Sequence, residues 1–373
     1  MPKGKKMADN NAVLLACGDV GPVHEPMNAY TTLALPVLAT GDIRFAQCER
    51  VYSDRGSRQP NGGGHSRLAP HFASIFSDCG FNVVSVAGNH AMDWGEDALL
   101  DTIDLFRKKG IQTIGGGRNL KEARQPAIVE ANGVKVAFLA YCSVLHEGYA
   151  AVPDKTGVAP LRAHTYYEAT EYQAGMPPRI VTVPYPEDLE GMVDDIIAAK
   201  KIAHCVVVSL HWGIHFIPKL IAEYQPIAAK AAFKAGADLI LGHHAHLPKA
   251  IGVHGGKVCY YSLSNFIMSV PPMKPEKVTW FTKRYSTAMD PEYPRLAYGT
   301  DGKRSLIAKA VFSREGIRKN SFLPVLIDKQ LRPEILRGDD PRFAEAVNYM
   351  DWASEEFEHK FVIKDNEVVV EAS

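Results

Sequence analysis

The sequence predicts an α/β protein built around a layered sheet, and three observations support this fold class. Apolar, β-branched runs typical of buried strands alternate with segments of helical periodicity. Metal-binding and proton-transfer residue types follow several of those runs, where open α/β sheets place their ligands. With 373 residues and 46% hydrophobic content, the chain can form one large domain with elaborations, or two domains.

The elements follow from the periodicity of the apolar residues. Six runs have the length and residue types of buried strands: 12–17, 82–87, 134–141, 205–210, 238–241 and 257–262. Four segments have the spacing of amphipathic helices: 67–79, 96–109, 187–201 and 220–235. After residue 304 two alternating runs predict a hairpin, and a helix is predicted at about 341–358.

These elements suggest a division of the chain into three parts. Residues 1–10, "MPKGKKMADN", are polar and are expected to be disordered. Residues 11–330 are expected to form the main α/β domain. Residues 331–373 are expected to form a helical extension packed on that domain.

Two long segments without clear periodicity are expected to be loop insertions, at about 147–186 and 269–302. Long irregular insertions in a compact domain are usually binding loops or lids, or else disordered. Aromatic residues such as Trp280 and Tyr285 disfavour disorder. The segment 269–302 is expected to cover the site as a lid or as a loop of a neighbouring subunit.

Composition and charge exclude several classes of partner. Lys plus Arg and Asp plus Glu both number 42, so no net charge attracts nucleic acid. No apolar run approaches the roughly 20 residues of a membrane helix, and no signal-peptide pattern is present. The six cysteines are widely spaced, which favours buried thiols in a reducing compartment. We therefore expect a soluble, cytoplasmic protein that binds neither nucleic acid nor membranes.

The ends of several predicted strands carry residues that bind divalent metals. They are Asp19, Glu49, Asn89, His211 and the group His243, His244 and His246. A turn or a helix cap would explain any one of them, but parallel strands would bring them to one edge. Oxygen and imidazole ligands without thiolates suit Mn, Fe or Zn better than Ca. The sequence predicts one or two such ions, with Asp19 as the candidate bridge between two.

The stretch "VVSVAGNHAMDWG", residues 83–95, pairs a ligand with a proton-transfer group. Its strand stops at Gly88 and is followed by Asn89, which offers a neutral oxygen ligand. The adjacent His90 can act as a general acid or base near neutral pH. Asp93 can hydrogen-bond the His90 ring and select its tautomer. The alternative is a turn that only caps the next helix.

The motifs "GDV", "GNHAMDWG", "HWG", "GADLILGHHAH" and "YYSLSNF" follow the order of the CapA family, which the chain resembles over about residues 12–267. That family is named for capsule and poly-γ-glutamate synthesis and belongs to the calcineurin-like metallophosphatase superfamily. The resemblance implies a four-layer α/β/β/α sandwich with a metal site at the strand ends. By motif, it implies six metal ligands: Asp19, Glu49, Asn89, His211, His244 and His246. It also implies a proton donor at His90, supported by Asp93.

The chain departs from the family pattern at several positions. Gly21 stands where the superfamily usually has the histidine of Asp-x-His, so a ligand is missing or is replaced by His24 or Glu25. Glu49 replaces an aspartate, and its longer reach would alter the spacing of the metals. The stretch "IHF" after "HWG" places His215 near the site or in solvent. His243 stays open as a ligand, because "GHHAH" aligns with Gly-His-x-His in more than one way.

Three functions are compatible with these residues. The first is a metal-dependent hydrolase that cleaves an amide, γ-glutamyl-type or phosphoester bond with activated water and a histidine acid/base. The second is a metal-dependent epimerase, isomerase or lyase in which His90 and a second histidine, His215, move protons. The third is a non-catalytic factor in envelope polymer assembly. A small-molecule or peptide-like substrate is the expected partner, and a homo-oligomer is left open.

Overall fold

The computed structural model describes residues 11–372, so the tail predicted at 1–10 lies outside the described residues. Its strands in chain order are β1 (Ala12–Gly21), β2 (Ile43–Cys48), β3 (Val51–Tyr52), β4 (Arg67–Leu68), β5 (Val83–Ser85), β6 (Gln112–Ile114), β7 (Gly116–Gly117), β8 (Ala127–Ala131), β9 (Val134–Cys142), β10 (Gly157–Val158), β11 (Ala163–Glu168), β12 (Arg179–Pro184), β13 (Cys205–His211), β14 (Leu239–His243), β15 (Ile251–His254), β16 (Lys257–Tyr260), β17 (Asn265–Met268), β18 (Arg304–Ser313), β19 (Gly316–Ile327), β20 (Pro333–Ile335), β21 (Lys360–Lys364) and β22 (Glu367–Glu371). Its α-helices are α1 (Leu35–Leu38), α2 (Ser74–Asp78), α3 (Gly95–Lys108), α4 (Leu120–Ala123), α5 (Pro186–Lys200), α6 (Tyr224–Ala235), α7 (Pro275–Tyr285) and α8 (Pro341–Ser354).

Two sheets organise the molecule. The first has the order β21-β22-β19-β18-β1-β2-β5-β6, with β17 also beside β1 and β20 beside β19. The second has the order β15-β16-β14-β13-β9-β8. In the first sheet β1, β2, β5 and β6 run parallel, and in the second β9, β13, β14 and β16 do. These parallel strands read as continuous apolar runs because both of their faces are covered.

The sheets pack face to face between two helical layers. Phe45 of β2 stacks on Phe138 of β9, with 6.1 Å between ring centroids, so the two sheets are in direct contact. Leu99 and Phe106 of α3 are buried against the first sheet. Met192 of α5 is buried, and with the buried residues of α6 it packs on the outer face of the second sheet. The predicted four-layer α/β/β/α sandwich is confirmed.

The helices begin and end where elementary rules place their boundaries. The helix α3 has Glu96 in its first turn and Lys108 in its last, which complements the helix dipole. The helix α5 begins at Pro186, whose missing N–H costs nothing in the first turn. The helix α6 ends at Gly236, where φ is 118° and only glycine is unstrained.

Two predicted elements differ in part from the structure. The helix predicted at 67–79 is helical from residue 70 to residue 78, where a 3-10 turn continues into α2, but its first two residues form β4. Pro70 has no amide N–H, and it disfavours helical backbone at the residue before it, which is extended. The extension predicted as helical at 331–373 contains α8, but β20, β21 and β22 join the first sheet. The run "FVIKDNEVVV" forms a hairpin because β-branched residues flank a two-residue turn, in which Asp365 has φ of 56°.

The two predicted insertions contain regular structure. The first includes the exposed hairpin β11–β12, and the second includes α7, which lies beside the candidate site described below. The C-terminal boundary of the main domain stays a prediction. Within residues 11–372, no helix combines the length and the apolar character needed to cross a membrane.

Candidate metal centre

The predicted strand ends meet at the carboxyl edge of the two sheets. Asp19 lies near the end of β1, opposite Asn265 of β17. Glu49 directly follows β2, and Asn89 lies in the turn after β5. His211 and His243 are the last residues of β13 and β14 and lie opposite each other. Parallel pairing in register therefore assembles residues that are far apart in sequence.

Two buried carboxylates face the histidines. Asp19 lies 3.5 Å from Nδ1 of His243 and 3.6 Å from Nδ1 of His246. Glu49 Oε1 lies 3.5 Å from Nε2 of His246, and its Oε2 lies 3.9 Å from Nε2 of His211. Burial raises the pKa of Asp19 to about 8, and burial together with the charge of Asp19 raises the pKa of Glu49 to about 8. For both carboxylates the cost of burial outweighs the stabilising neighbours, and a cation between them would offset that cost.

The histidines of this cluster are held neutral, which is the form that binds metals. Burial lowers the pKa of His243 and of His246 to about 3. Burial also lowers the pKa of His211 and of His244 well below the ordinary value. His246 donates from Nδ1 to Asn265 at 2.8 Å, which leaves its Nε2 facing Glu49. A hydrogen bond of this kind fixes the tautomer of a ligating imidazole.

Unpaired polar atoms concentrate at this point of the molecule. Both oxygens of Asp19, Oε2 of Glu49 and both ring nitrogens of His243 are buried without a hydrogen-bond partner. One ligand atom each from Asp19, Glu49 and His211 lie within 4.8 Å of one another. Buried polar atoms normally have partners, and a cation would supply one for these atoms. The donor set fits a divalent metal.

The loop after β14 presents its histidines through strained backbone. His244 has φ of 87° and His246 has φ of 57°, in the left-handed region that L-residues seldom adopt. The strand β14 ends at His243, so the alternation of side chains along a strand does not determine where His244 and His246 point. Nevertheless His246 reaches Glu49, and the His244 ring centroid lies 4.9 Å from that of His211.

His90 and Asp93 form the hydrogen-bonded pair that the sequence predicts. The distance from Nδ1 of His90 to Oδ2 of Asp93 is 2.6 Å. Burial acts to lower the pKa of His90, but the hydrogen bond to Asp93 and the charge of Glu49 outweigh it and raise that pKa. Asn89 points elsewhere, and its Oδ1 lies 2.8 Å from Nε2 of His211. The adjacent residues Asn89 and His90 therefore face different partners, His211 and Asp93.

A cavity of about 430 Å³ adjoins this cluster, with Glu49, His90 and His246 among its lining residues. The helix α7 forms another side of the cavity through Trp280 and Tyr285. The segment 269–302 therefore covers the site, as expected for a lid. His215 lies between the metal cluster and α7: its ring centroid is 5.1 Å from that of His244, and its Nε2 lies 2.9 Å from the Tyr285 hydroxyl.

The departures at the first motif have a structural explanation. A Cβ at Gly21 would lie 3.0 Å from Cγ of Arg50, so the arginine side chain occupies the space beside that position. Glu25 does not reach the cluster, because it is exposed and lies 3.2 Å from His71. Among the described residues, those that line the cavity beside the cluster do not include His24.

Sequence reasoning missed three residues that complete the site. Asn265 orients His246 and lies in the quoted motif "YYSLSNF", which offered a signal for it. Arg50 directly follows Glu49, and nothing in the residue type indicated where its side chain would point. Tyr149 donates its hydroxyl to Asp93 at 3.0 Å, and it comes from an insertion without a pattern.

The sandwich and the carboxylate–imidazole cluster define a metallophosphatase-like α/β protein. Residues 13–270 match the family described as "Bacterial capsule synthesis protein PGA_cap". The chain belongs to this family, which is that of CapA.

Several relatives carry names that refer to the synthesis of PGA, of a capsule or of polyglutamine. The chain is 32% identical over 204 residues to the PGA biosynthesis protein CapA of Bacillus subtilis, covering 54% of this chain and 47% of that protein. It is 29% identical over 191 residues to the capsule biosynthesis protein CapA of Bacillus anthracis, covering 51% and 41%. It is 26% identical over 241 residues to a probable polyglutamine synthesis accessory protein of Mycobacterium tuberculosis, covering 62% and 54%. The chain thus spans about half the length of the curated relatives it matches.

A solved structure with a similar arrangement is that of the calcineurin-like phosphoesterase YfkN from Bacillus subtilis. Its TM-score is 0.40 at 14% identity, with 83% of this chain and 87% of that chain covered.

Proposed function

We propose that the protein is a metal-dependent hydrolase. The observation that carries this proposal is the pair of buried, unpartnered carboxylates of Asp19 and Glu49 beside neutral imidazoles. Burying an unpaired carboxylate costs several kcal/mol, and a divalent cation removes that cost. A site that would be this unfavourable without metal is expected to bind metal tightly.

The residues that would hold the metal are Asp19, Glu49, Asn89, His211, His243, His244 and His246. Mn, Fe and Zn suit this mixture of oxygen and nitrogen donors, in one or two positions. When bound, such ions supply Lewis acidity and lower the pKa of water. His243 enters this set because both of its ring nitrogens are unpaired and one lies 3.5 Å from Asp19.

His90 is proposed as the acid that protonates the leaving group. Its Nδ1 is held by Asp93, and its Nε2 lies 4.0 Å from Oε1 of Glu49, in the wall of the same cavity. The side chain is 31% exposed, so a substrate can reach it. Tyr149 and the backbone N–H of Gly63 both donate to Asp93 and hold its carboxylate in place.

The bond cleaved is proposed to be an amide, γ-glutamyl-type or phosphoester bond of a small-molecule or peptide-like substrate. The relatives' names favour the γ-glutamyl type among these. Isomerase or lyase chemistry would need two proton-transfer groups facing one substrate. Hydrolysis needs only one, and His90 lines the cavity 4.0 Å from Glu49.

A non-catalytic accessory role is the second candidate, because relatives in Mycobacterium tuberculosis are named accessory proteins. The two roles predict different things of the same site. An accessory protein needs the fold but no proton donor beside the metal. A hydrolase needs the fold and also the proton donor.

The test uses the full chain, stripped of metal and reloaded with Mn, Fe(II) or Zn. Metal per chain is measured first, followed by turnover of γ-glutamyl-p-nitroanilide, bis-p-nitrophenyl phosphate and a peptide panel. We expect turnover that requires metal, is lost in Asp19→Asn and is unchanged in the surface variant His71→Ala. Folded, metal-loaded protein that turns over no member of the panel would favour the accessory role. Folded protein that binds no metal would refute the hydrolase.

A further inference from the structure

We infer that the substrate of this site is a compact anion with an apolar body, bound in the cavity beneath α7. The inference rests on the proposed function for its chemistry, but its evidence comes from other walls of the cavity. The cavity, of about 430 Å³, lies within the range of roughly 300–1,000 Å³ typical of small-molecule sites. Its lining differs from one side to the other.

One side is a cluster of aromatic rings. Phe281 of α7 is buried, and its ring centroid lies 4.9 Å from that of Phe216 and 4.9 Å from that of Tyr285. Tyr298 stacks on His246, with 4.1 Å between centroids. The aromatic wall therefore extends from α7 to a candidate metal ligand. Rings in this arrangement offer a rigid apolar surface for a flat or branched group.

Two residues of this wall indicate that the surface is built for a ligand. Phe216 has φ of 66°, a strained conformation for an aromatic residue, and it places the ring against α7. Trp280 lines the same cavity and yet is 55% exposed. A ligand with an apolar body would cover that indole and remove apolar area from water.

The other side of the cavity carries a buried cation. Arg50 is 3% exposed and donates to the carbonyl oxygens of Gly21, His65 and Ser269 at 2.6–2.8 Å. These three acceptors are neutral, and no ion pair between Arg50 and a carboxylate occurs among the described residues. A guanidinium has five N–H groups, so donors remain for a ligand. Its planar donors suit a carboxylate or a phosphate.

Two further cations stand at the mouth. Lys274 precedes α7 and Lys277 lies in its first turn, and both line the cavity. Both are exposed, and neither forms an ion pair within residues 11–372. An anion that enters the cavity therefore meets positive charge at the rim and again at Arg50.

An extended polyglutamate chain fits these walls poorly. It would bring one carboxylate per residue and no apolar group that could cover Trp280 or Phe281. A small molecule with one anionic group and one apolar body satisfies both sides of the cavity. The carboxylate and the phosphate share this chemistry, and the test below separates them.

The test measures binding rather than turnover, with the chelator-treated and the metal-loaded full chain. The probes are 3-phenylpropionate and phenylphosphonate, with butyrate as the control without a ring, 3-phenylpropylamine as the control of opposite charge, and a penta-γ-glutamate. Calorimetry gives Kd for each, and quenching of tryptophan emission reports contact with Trp280, one of four tryptophans. We expect at least one aromatic anion to bind about tenfold tighter than butyrate and than the amine, in either form of the protein. The tighter of the two aromatic anions identifies the headgroup.

Variants locate the binding site. Trp280→Ala and Lys277→Gln change exposed side chains, so both variants are expected to fold. Each should raise the Kd of the aromatic anion by about threefold to tenfold. Trp352→Ala changes another half-exposed tryptophan, on α8, and should leave Kd unchanged. Equal binding of the amine and the anions, tighter binding of penta-γ-glutamate, or an unaltered Kd in Trp280→Ala would each overturn the inference.

The outcomes separate this inference from the proposed function. Aromatic anions that bind to a metal-loaded protein without turnover would confirm this class of ligand for the cavity and favour the accessory role over the hydrolase. Metal-dependent turnover restricted to polyglutamate, with no binding of the aromatic probes, would support the hydrolase and overturn this inference.

Discussion

The adjacent residues Asn89 and His90 are expected to fail in different ways when each is replaced by alanine. His90→Ala removes one of three hydrogen bonds to Asp93, which keeps those from Tyr149 and Gly63. The loss of stability should therefore be about 1 kcal/mol, while turnover should fall by about 10²–10⁴-fold, the usual value of a positioned acid. Metal content should stay at the wild-type level.

Asn89→Ala is expected to act on the metal instead. It removes the 2.8 Å contact with His211, whose ring is fully buried and whose Nδ1 is already unpaired. The free energy of unfolding should fall by about 1–3 kcal/mol in the metal-free protein, and metal affinity should fall with it. Excess metal should restore part of the turnover of Asn89→Ala and none of that of His90→Ala.

The assay combines metal analysis, thermal unfolding and turnover of the best substrate from the panel, at several metal concentrations. His71→Ala is the matched surface control. The N-cap of α3 is Trp94, so neither residue caps that helix. If the turn has only a structural role, both variants should lower the free energy of unfolding by about 1 kcal/mol and keep normal turnover per folded molecule. Full activity of folded His90→Ala would remove His90 from the mechanism.

Three further predictions follow from the site. Saturating metal at a hundred times its Kd should raise the free energy of unfolding by about 2.7 kcal/mol, and calorimetry should find this increase abolished in Asp19→Asn. Tyr149→Phe should lower kcat by roughly tenfold through the orientation of Asp93, with little change in KM or in bound metal; an unchanged kcat would show that the tyrosine is dispensable. Gly18→Ala should lower the free energy of unfolding by about 2 kcal/mol or more in chemical denaturation, because its Cβ would lie 1.9 Å from the carbonyl oxygen of Ser264; a stability within 0.5 kcal/mol of wild type would contradict this.

Periodicity predicted the parallel core and its edge well. The runs at 12–17 and 205–210 lie within β1 and β13, the run at 238–241 overlaps β14, and the predicted hairpin after residue 304 is β18–β19. The strands β1, β13 and β14 are buried along almost their whole length, so their local sequence and their tertiary environment agree. The convergence of Asp19, His211 and their partners follows from that core alone.

The rest of the site depends on long-range packing that local patterns do not contain. The position of Arg50 requires the absence of a side chain at Gly21, and Tyr149 reaches Asp93 from an irregular segment. The helix predicted at 67–79 begins three residues late for a local reason, because Pro70 keeps the residue before it extended. The strands β21 and β22 lie in the extension predicted as helical, and the pairing of β22 with β19 is a long-range contact.

The register of β1 also determines when the site can form during folding. Ala12 at the beginning of this strand pairs with Phe312, and Asp19 near its end pairs with Asn265. The first candidate ligand of the chain therefore obtains its neighbours only after a late part of the chain has been synthesised. Such non-local pairing makes loop closure costly and folding slow. Because the edge that carries Asp19 is completed only then, nascent chains that end before β17 should bind metal poorly, whatever ligands they already contain.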